Sequence, residues 1–277
     1  MKNLTDKSDL NVNEVTYNPD KSLKETIVES LKPLGGLNKF ITNGDRVLLK
    51  PNFNTGDPFP ASSDPEFLMT FLNHVLKYSS DVQIIESSTL LANTKKIINN
   101  IMGDKLKELN VPVITEKDYN FTKVDLKPLG AKYLKSVKLP KQIFEQNTKI
   151  ILLPCLKTHF IAHFTGALKL AVGLMERKQR LRMHISLRLH EKIAELNLGY
   201  KPDLIVMDAR KIFVTKGPAS GKVEVPQKIL AGTDRIAVDI RGVGIIQSYN
   251  AENKLQKVDP QSVRTIKRAL DLGLDRS

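Results

Sequence analysis

The stretch IILLPCLKTHFIAHFTGALKL, Ile150–Leu170, decides how the chain is read. It opens on an unbroken apolar run, Ile150–Leu153, of the kind needed by a strand buried on both faces. Pro154 and Cys155 follow, and Lys157, Thr158 and His159 then stand where a helix is expected to begin, with residues 160–175 helical. His163 comes four residues after His159, the spacing of a zincin pair. Ile161 and Ala162 occupy the middle instead of a usable glutamate, which removes a zincin protease from consideration.

Working outward, the same strand type recurs at Val47–Leu49, in DVQIIESS at 81–88, in KPDLIVMDAR at 201–210 and in KILAGTD at 228–234. Between them lie helix patterns near 22–34, from Pro65 to about 78, at 93–109, 186–197, 234–247 and 260–272. Asp64 before Pro65 is a good start for the second of these, since Asp caps and proline suits the first turn. Strands alternating with helices predict an α/β fold, with a mostly parallel or mixed central sheet covered by helices on both faces. Residues 1–20 read as an N-terminal arm or edge strand, and 21–277 as one domain.

Composition narrows the function classes. With 277 residues, 41% hydrophobic and 26% charged, the chain is long enough for a sizeable core. No apolar run approaches the roughly 18 residues of a membrane span, and the polar N-terminus lacks a signal-peptide core. A cytoplasmic protein without a membrane partner is expected. One cysteine excludes an internal disulfide and an all-cysteine metal or iron–sulfur site within one chain. The net charge of +13 implies an anionic partner. From Lys157 to Lys192 there are eight Lys or Arg against two Glu, with four of the five histidines; a solvated helix face would look the same.

Ligands of α/β sheets collect beyond the carboxyl ends of the strands. This chain ends its strands on Lys50 and Asn52, on Glu86, on Lys157 and His159, and on Asp208. Lys50, Asn52, Lys157, Thr158 and Lys169 are the residues expected to bind a small phosphorylated or carboxylated ligand. A helix starting near His159 would add unpaired N–H groups, with Thr158 as its cap. His159 and His184 are the general acid–base candidates. Glu86 and Asp208 are candidate ligands for a divalent metal: magnesium from oxygens alone, zinc or manganese with a histidine. Asp239 is expected in an internal salt bridge, His163 within the helix, and Cys155 as packing at a strand end. GPASGK at 217–222 is one residue short of a phosphate loop and carries Val223 where Ser or Thr belongs. A loop that lets backbone approach a ligand is expected there instead.

The ordered set VLLKPNFN at 47–54, DVQIIESS, LLPCLKTHFIAHFTGALKLAVGLM at 152–175, His184, PDLIVMDA at 202–209, the GPASGK turn and GTDRIAVDIRG at 232–242 resembles the prokaryotic domain-of-unknown-function family 362. The resemblance runs over about residues 20–275 and implies that family's α/β domain for 21–277. It implies no reaction, because the family is largely uncharacterised. Some members append a ferredoxin-like cysteine cluster, and this chain has no such module, so no intrinsic iron–sulfur cluster is expected. Two positions depart from the family pattern: Cys155, where a lysine-like residue is common, and Leu170, where the pattern often has a polar residue.

The expectation is therefore an uncharacterised enzyme with a basic crevice for a small anion, possible as a homo-oligomer. Two alternatives stay open: a non-enzymatic basic protein gripping nucleic acid or an acidic partner through 176–192, and a redox protein using a partner's cluster or flavin. Aromatic residues make up 6% and none lies in 176–192, so base stacking, and with it nucleic acid, is not favoured.

Overall fold

The computed structural model describes residues 12–53, 55–88 and 92–275. The first eleven residues of the expected arm, and Asn54 at the end of VLLKPNFN, lie outside them. Strands β1 (Val12–Thr16), β2 (Arg46–Lys50), β3 (Asp81–Ile85), β4 (Val113–Ile114), β5 (Phe121–Asp125) and β6 (Ser136–Pro140) come first in the chain. They are followed by β7 (Thr148–Leu152), β8 (Lys157–His159), β9 (His163–Thr165), β10 (Leu204–Ala209), β11 (Ile212–Phe213), β12 (Val223–Glu224) and β13 (Lys228–Gly232). The helices are α1 (Leu23–Leu31), α2 (Pro65–Val75), α3 (Thr94–Glu108), α4 (Ala167–Leu170), α5 (Arg177–His184), α6 (Leu189–Leu196), α7 (Arg235–Gln247) and α8 (Arg264–Asp271).

Seven strands form the central sheet, in the order β1-β13-β10-β7-β2-β3-β4. β10, β7, β2, β3 and β4 run parallel, while β13 is antiparallel to both β10 and β1. The fold is α/β with a mixed sheet, and the edge-strand option for the N-terminal arm holds at Val12–Thr16.

Alternation along each strand builds two cores, one on each face. Val47, Leu49, Ile84, Ile151 and Val206 point to the side covered by Ile27, Phe67, Phe71 and Ile98 of α1, α2 and α3. Leu48, Ile85, Ile150, Leu152, Ile205 and Met207 point to the side covered by Leu168, Ile193, Val238 and Ile266 of α4, α6, α7 and α8. Helix starts follow their local chemistry. Ser22 and Glu25 form a reciprocal capping box on α1, Asp64 caps α2 ahead of Pro65, and Asp234 caps α7 through two N–H groups.

The stretch after β7 departs from expectation. Residues 157–165 form a hairpin, β8 against β9, with Lys157 opposite Thr165 and His159 opposite His163. Helix begins only at Ala167, and continues as a 3₁₀ turn from Ala171 to Leu174. The physical reason is composition: Thr158, Phe164 and Thr165 are β-branched or aromatic and suit a pleated surface. The three-residue loop Phe160–Ala162 closes with His163 at φ 68°, the left-handed residue that such loops use. No helix starts near His159, so Thr158 is not a helix cap and no helical N–H groups face a ligand there. The hairpin β5–β6, also absent from the sequence expectation, pairs Phe121–Asp125 with Ser136–Pro140.

Candidate functional site

The loops beyond the carboxyl ends of β2, β3, β7 and β10 meet above the sheet. Lys50 ends β2 and is 1% exposed; its Nζ lies 2.5 Å from Glu86 Oε1 and 2.8 Å from the Pro51 carbonyl. Glu86 also accepts the N–H groups of Phe53 and Ser87, each at 3.0 Å. Gly173 lies directly against the pair: a Cβ there would stand 2.9 Å from Lys50 Nζ and 3.2 Å from Glu86 Oε1. Burial pulls the Lys50 pKa down, opposed by the attraction of Glu86. Lys50 therefore does not present its charge to a ligand, and Glu86 is committed to a lysine and two amides.

Asp208 at β10 is equally committed. Its Oδ1 accepts from the backbone N–H and Nε of Arg210, each at 3.0 Å, and its Oδ2 accepts from Nη2 at 2.8 Å. Arg210 also binds Asp64, the cap of α2, which joins that helix to the end of β10. Burial raises the Asp208 pKa, against the opposite pull of Arg210. Among the described residues no three His, Cys, Asp or Glu side chains come together as a metal cage. Glu86 and Asp208 each accept three hydrogen bonds from cationic and amide donors and sit in separate ion pairs, with no shared cage between them.

Lys157 is fully buried, and its three ammonium hydrogens have three acceptors: the carbonyls of Pro60 (3.0 Å) and Ala61 (2.9 Å), and Cys155 Sγ (2.9 Å). Asn52 Nδ2 reaches the same sulfur at 3.5 Å, while its backbone N–H donates to Ser63 Oγ at 2.8 Å. Cys155 is thus packed, as expected, and also serves as an acceptor for Lys157. Thr158 turns its hydroxyl to the carbonyls of Phe213 (3.2 Å) and Thr215 (2.9 Å). The 217–222 turn meets the hairpin here. Gly217 has φ 63°, and a Cβ on it would fall 1.8 Å from the Thr158 carbonyl oxygen. Gly217 is required by close backbone packing, and the backbone it approaches is that of Thr158.

What remains is a cluster of His159, His184 and Lys169. His159 Nδ1 accepts the N–H groups of Ile161 and Ala162, both at 3.2 Å, which fixes the proton on Nε2. Burial, then the fields of Lys169, Lys157 and His184, pushes its pKa down to about 2. His159 is thus held as a neutral Nε2–H donor, with its Nδ1 lone pair already engaged by the backbone. His184, at the exposed end of α5, has its Nδ1 2.8 Å from the Arg180 carbonyl. That contact places the proton on Nδ1 and leaves the Nε2 lone pair outward. The two histidines are held in opposite tautomers.

Lys169 lies on α4, whose first two N–H groups, of Ala167 and Leu168, are received by Asp239 at 2.6 and 3.0 Å. Asp239 is a cap for this short helix, and not the internal salt bridge expected of it. The Lys169 side chain, half-buried, has no hydrogen-bond or ion-pair partner among the described residues. Burial, then Lys157, brings its pKa down to about 8. His163 stays outside the cluster, its ring against that of His190 at 4.4 Å.

Two contributors escape sequence reasoning. Arg180 is buried and donates to Ser87 Oγ and to the Ser88 carbonyl, tying α5 over the end of β3. An arginine inside a run of basic residues gives no sign that it alone turns inward. Arg210 was detectable in principle, since an arginine two residues after a buried strand-end aspartate is well placed to neutralise it.

The chain matches the family described as Domain of unknown function (DUF362) over residues 47–243, a segment holding every residue of this cluster. The protein belongs to the DUF362 family. This DUF362 chain is also similar to the Thylakoid-associated protein sll1697 of Synechocystis sp. (strain ATCC 27184 / PCC 6803 / Kazusa), with 23% identity over 261 residues. That alignment takes in 92% of this chain and 76% of the relative. A crystal structure of a Thermotoga maritima protein aligns at 12% identity with a TM-score of 0.40, over 70% of this chain and 51% of that one. The DUF362 chain therefore spans about half the length of that structure. Among the described residues, no helix is long and apolar enough to cross a membrane.

Proposed function

We propose that this DUF362 protein is an enzyme that binds a small phosphorylated or carboxylated substrate beyond the carboxyl ends of the sheet strands. The observation that carries this is Lys169, a half-buried lysine whose side chain has no partner among the described residues and whose neighbours are cationic or neutral imidazole groups. Gathering cations and imidazoles without a counter-charge is unfavourable, and a bound anion offsets that cost. Lys169 supplies the charge and the Nε2–H of His159 a directional donor beside it. His184, with its outward Nε2 lone pair, is the group able to exchange a proton with a bound substrate.

Lys50, Lys157, Thr158, Glu86 and Asp208 set the frame that holds these three in place. No step is assigned to a divalent metal. The Synechocystis relative's name records association with thylakoids, which speaks to location and leaves the chemistry open.

Thermal-shift and calorimetric titrations with inorganic phosphate, pyrophosphate and pyruvate test the proposal, on the native chain and on Lys169→Met. Stabilisation by at least one anion in the native chain, lost in Lys169→Met, is the expected result. Equal binding by both proteins would reject the assignment of Lys169.

A further inference from the structure

The turn joining α5 to α6 exposes apolar side chains to an unusual degree: Ile185 is 87% exposed and Leu187 95%. Scattered exposed leucines need no explanation, but these two lie within three residues of each other in a basic surround. From Arg177 to His190 the chain holds no acidic residue. Arg177, Lys178 and Arg182 are exposed, and none has an ion-pair partner among the described residues. At 3.6 residues per turn, Lys178, Arg182 and Ile185 stand at i, i+4 and i+7, on one face of α5 and its end. Arg188, beyond Leu187, lies with its guanidinium carbon 5.1 Å from the centre of the Tyr133 ring.

We propose that this tip is a peripheral membrane contact, with Ile185 and Leu187 entering the headgroup region of an anionic bilayer while Lys178 and Arg182 engage lipid phosphates. Charge complementarity selects the occupant. A nucleic-acid backbone would satisfy the cations but leave both aliphatic side chains in water. An anionic lipid surface takes up both kinds of group together. The contact lies on the surface and asks for no spanning helix. It is independent of the anion-site proposal, because the four side chains belong to none of the contacts that build that site. Arg180, on the opposite side of the same helix, faces inward and anchors α5 to β3.

The test is flotation of the full chain with vesicles of phosphatidylcholine alone and of phosphatidylcholine mixed with phosphatidylglycerol. Binding to the phosphatidylglycerol vesicles only is expected, weakening as salt is raised. Ile185→Ser/Leu187→Ser leaves the charge intact and weakens binding by about tenfold or more. Lys178→Ser/Arg182→Ser weakens it about tenfold or more. Both variants unfold at the temperature of the native chain, because the altered side chains are exposed. Three outcomes overturn the proposal: no flotation with anionic vesicles, flotation unchanged in Ile185→Ser/Leu187→Ser, or duplex DNA displacing the protein from the vesicles at equal phosphate.

Discussion

Lys50 Nζ and Glu86 Oε1 lie 2.5 Å apart with both side chains 1% exposed, so β2 and β3 are joined at their carboxyl ends by an ion pair shielded from water. Removing one partner strands the other's charge in the interior, at a cost of about 3–5 kcal/mol. Glu86→Ala and Lys50→Met are each expected to lose that much in urea-induced unfolding. Lys50→Met/Glu86→Leu should lose less than the sum, by about 2 kcal/mol or more, because no charge is then left unpaired. Additive losses would show that the two side chains do not act as a pair.

Lys169 predicts a pH limb. Its folded-state pKa of about 8 lies below the ordinary 10.5, since burial and Lys157 disfavour the ammonium. Between those values the unfolded chain holds a proton that the folded chain has released, so stability rises as pH increases through that window. Anion affinity moves the other way, falling about tenfold per pH unit once the amine is neutral. Calorimetry with phosphate from pH 7 to 10 should show that decline. Lys169→Met should abolish the binding and raise stability at pH 7 by about 1–3 kcal/mol.

The fold was legible because its signals are local and strong. Continuous runs such as Ile150–Leu152 and Leu204–Met207 can be satisfied only inside a covered sheet, and Asp64-Pro65 announces its helix without help from the rest of the chain. The 157–165 hairpin was not legible. Its β-branched and aromatic residues are interleaved with apolar positions that fit a helix equally well, and the contact of Gly217 with the Thr158 carbonyl, 59 positions away, is one that no local pattern encodes. The site was half legible for a related reason. Strand-end position picked out Lys50, Glu86, Lys157 and Asp208 as polar groups beyond the sheet, but sequence does not say which of them find partners. Glu86 quenches Lys50 and Arg210 quenches Asp208, while Lys169, several residues past a strand end, has none.

The two histidines should differ by nitrogen-15 NMR. His159, with Nδ1 occupied by two N–H donors, is expected to show a protonated Nε2 and no titration between pH 8 and 5. His184 is expected to carry its proton on Nδ1 and to titrate below its ordinary value of 6.5, as burial holds its pKa down. Because His159 stays neutral when folded, the unfolded chain takes up a proton that the native chain refuses as pH falls below about 6.5. Stability therefore declines toward acid, and His159→Gln should lessen that decline. His159→Leu should weaken phosphate binding about tenfold or more by removing a donor to a charged group, whereas His184→Gln should affect turnover and spare binding.

Gly166 and Asp239 provide the test of whether α4 must sit where it does. A Cβ on Gly166 would fall 2.2 Å from Asp239 Oδ1, the oxygen that receives the Ala167 N–H at 2.6 Å. Gly166→Ala must therefore displace either the carboxylate or the start of α4, and with it Lys169 three residues on. A loss of about 2–4 kcal/mol is expected, from overpacking and from amides left without an acceptor. Asp239→Gly removes the same acceptor without crowding, for about 1–3 kcal/mol. In the double variant the added methyl meets only the Phe164 ring, at 3.0 Å, and no longer the carboxylate, so Gly166→Ala should cost at least about 1 kcal/mol less there than in the native background. Phosphate titrations on the folded variants complete the test: if α4 carries the anion-binding amine, affinity falls in Gly166→Ala, and undiminished affinity would separate Lys169 from the site.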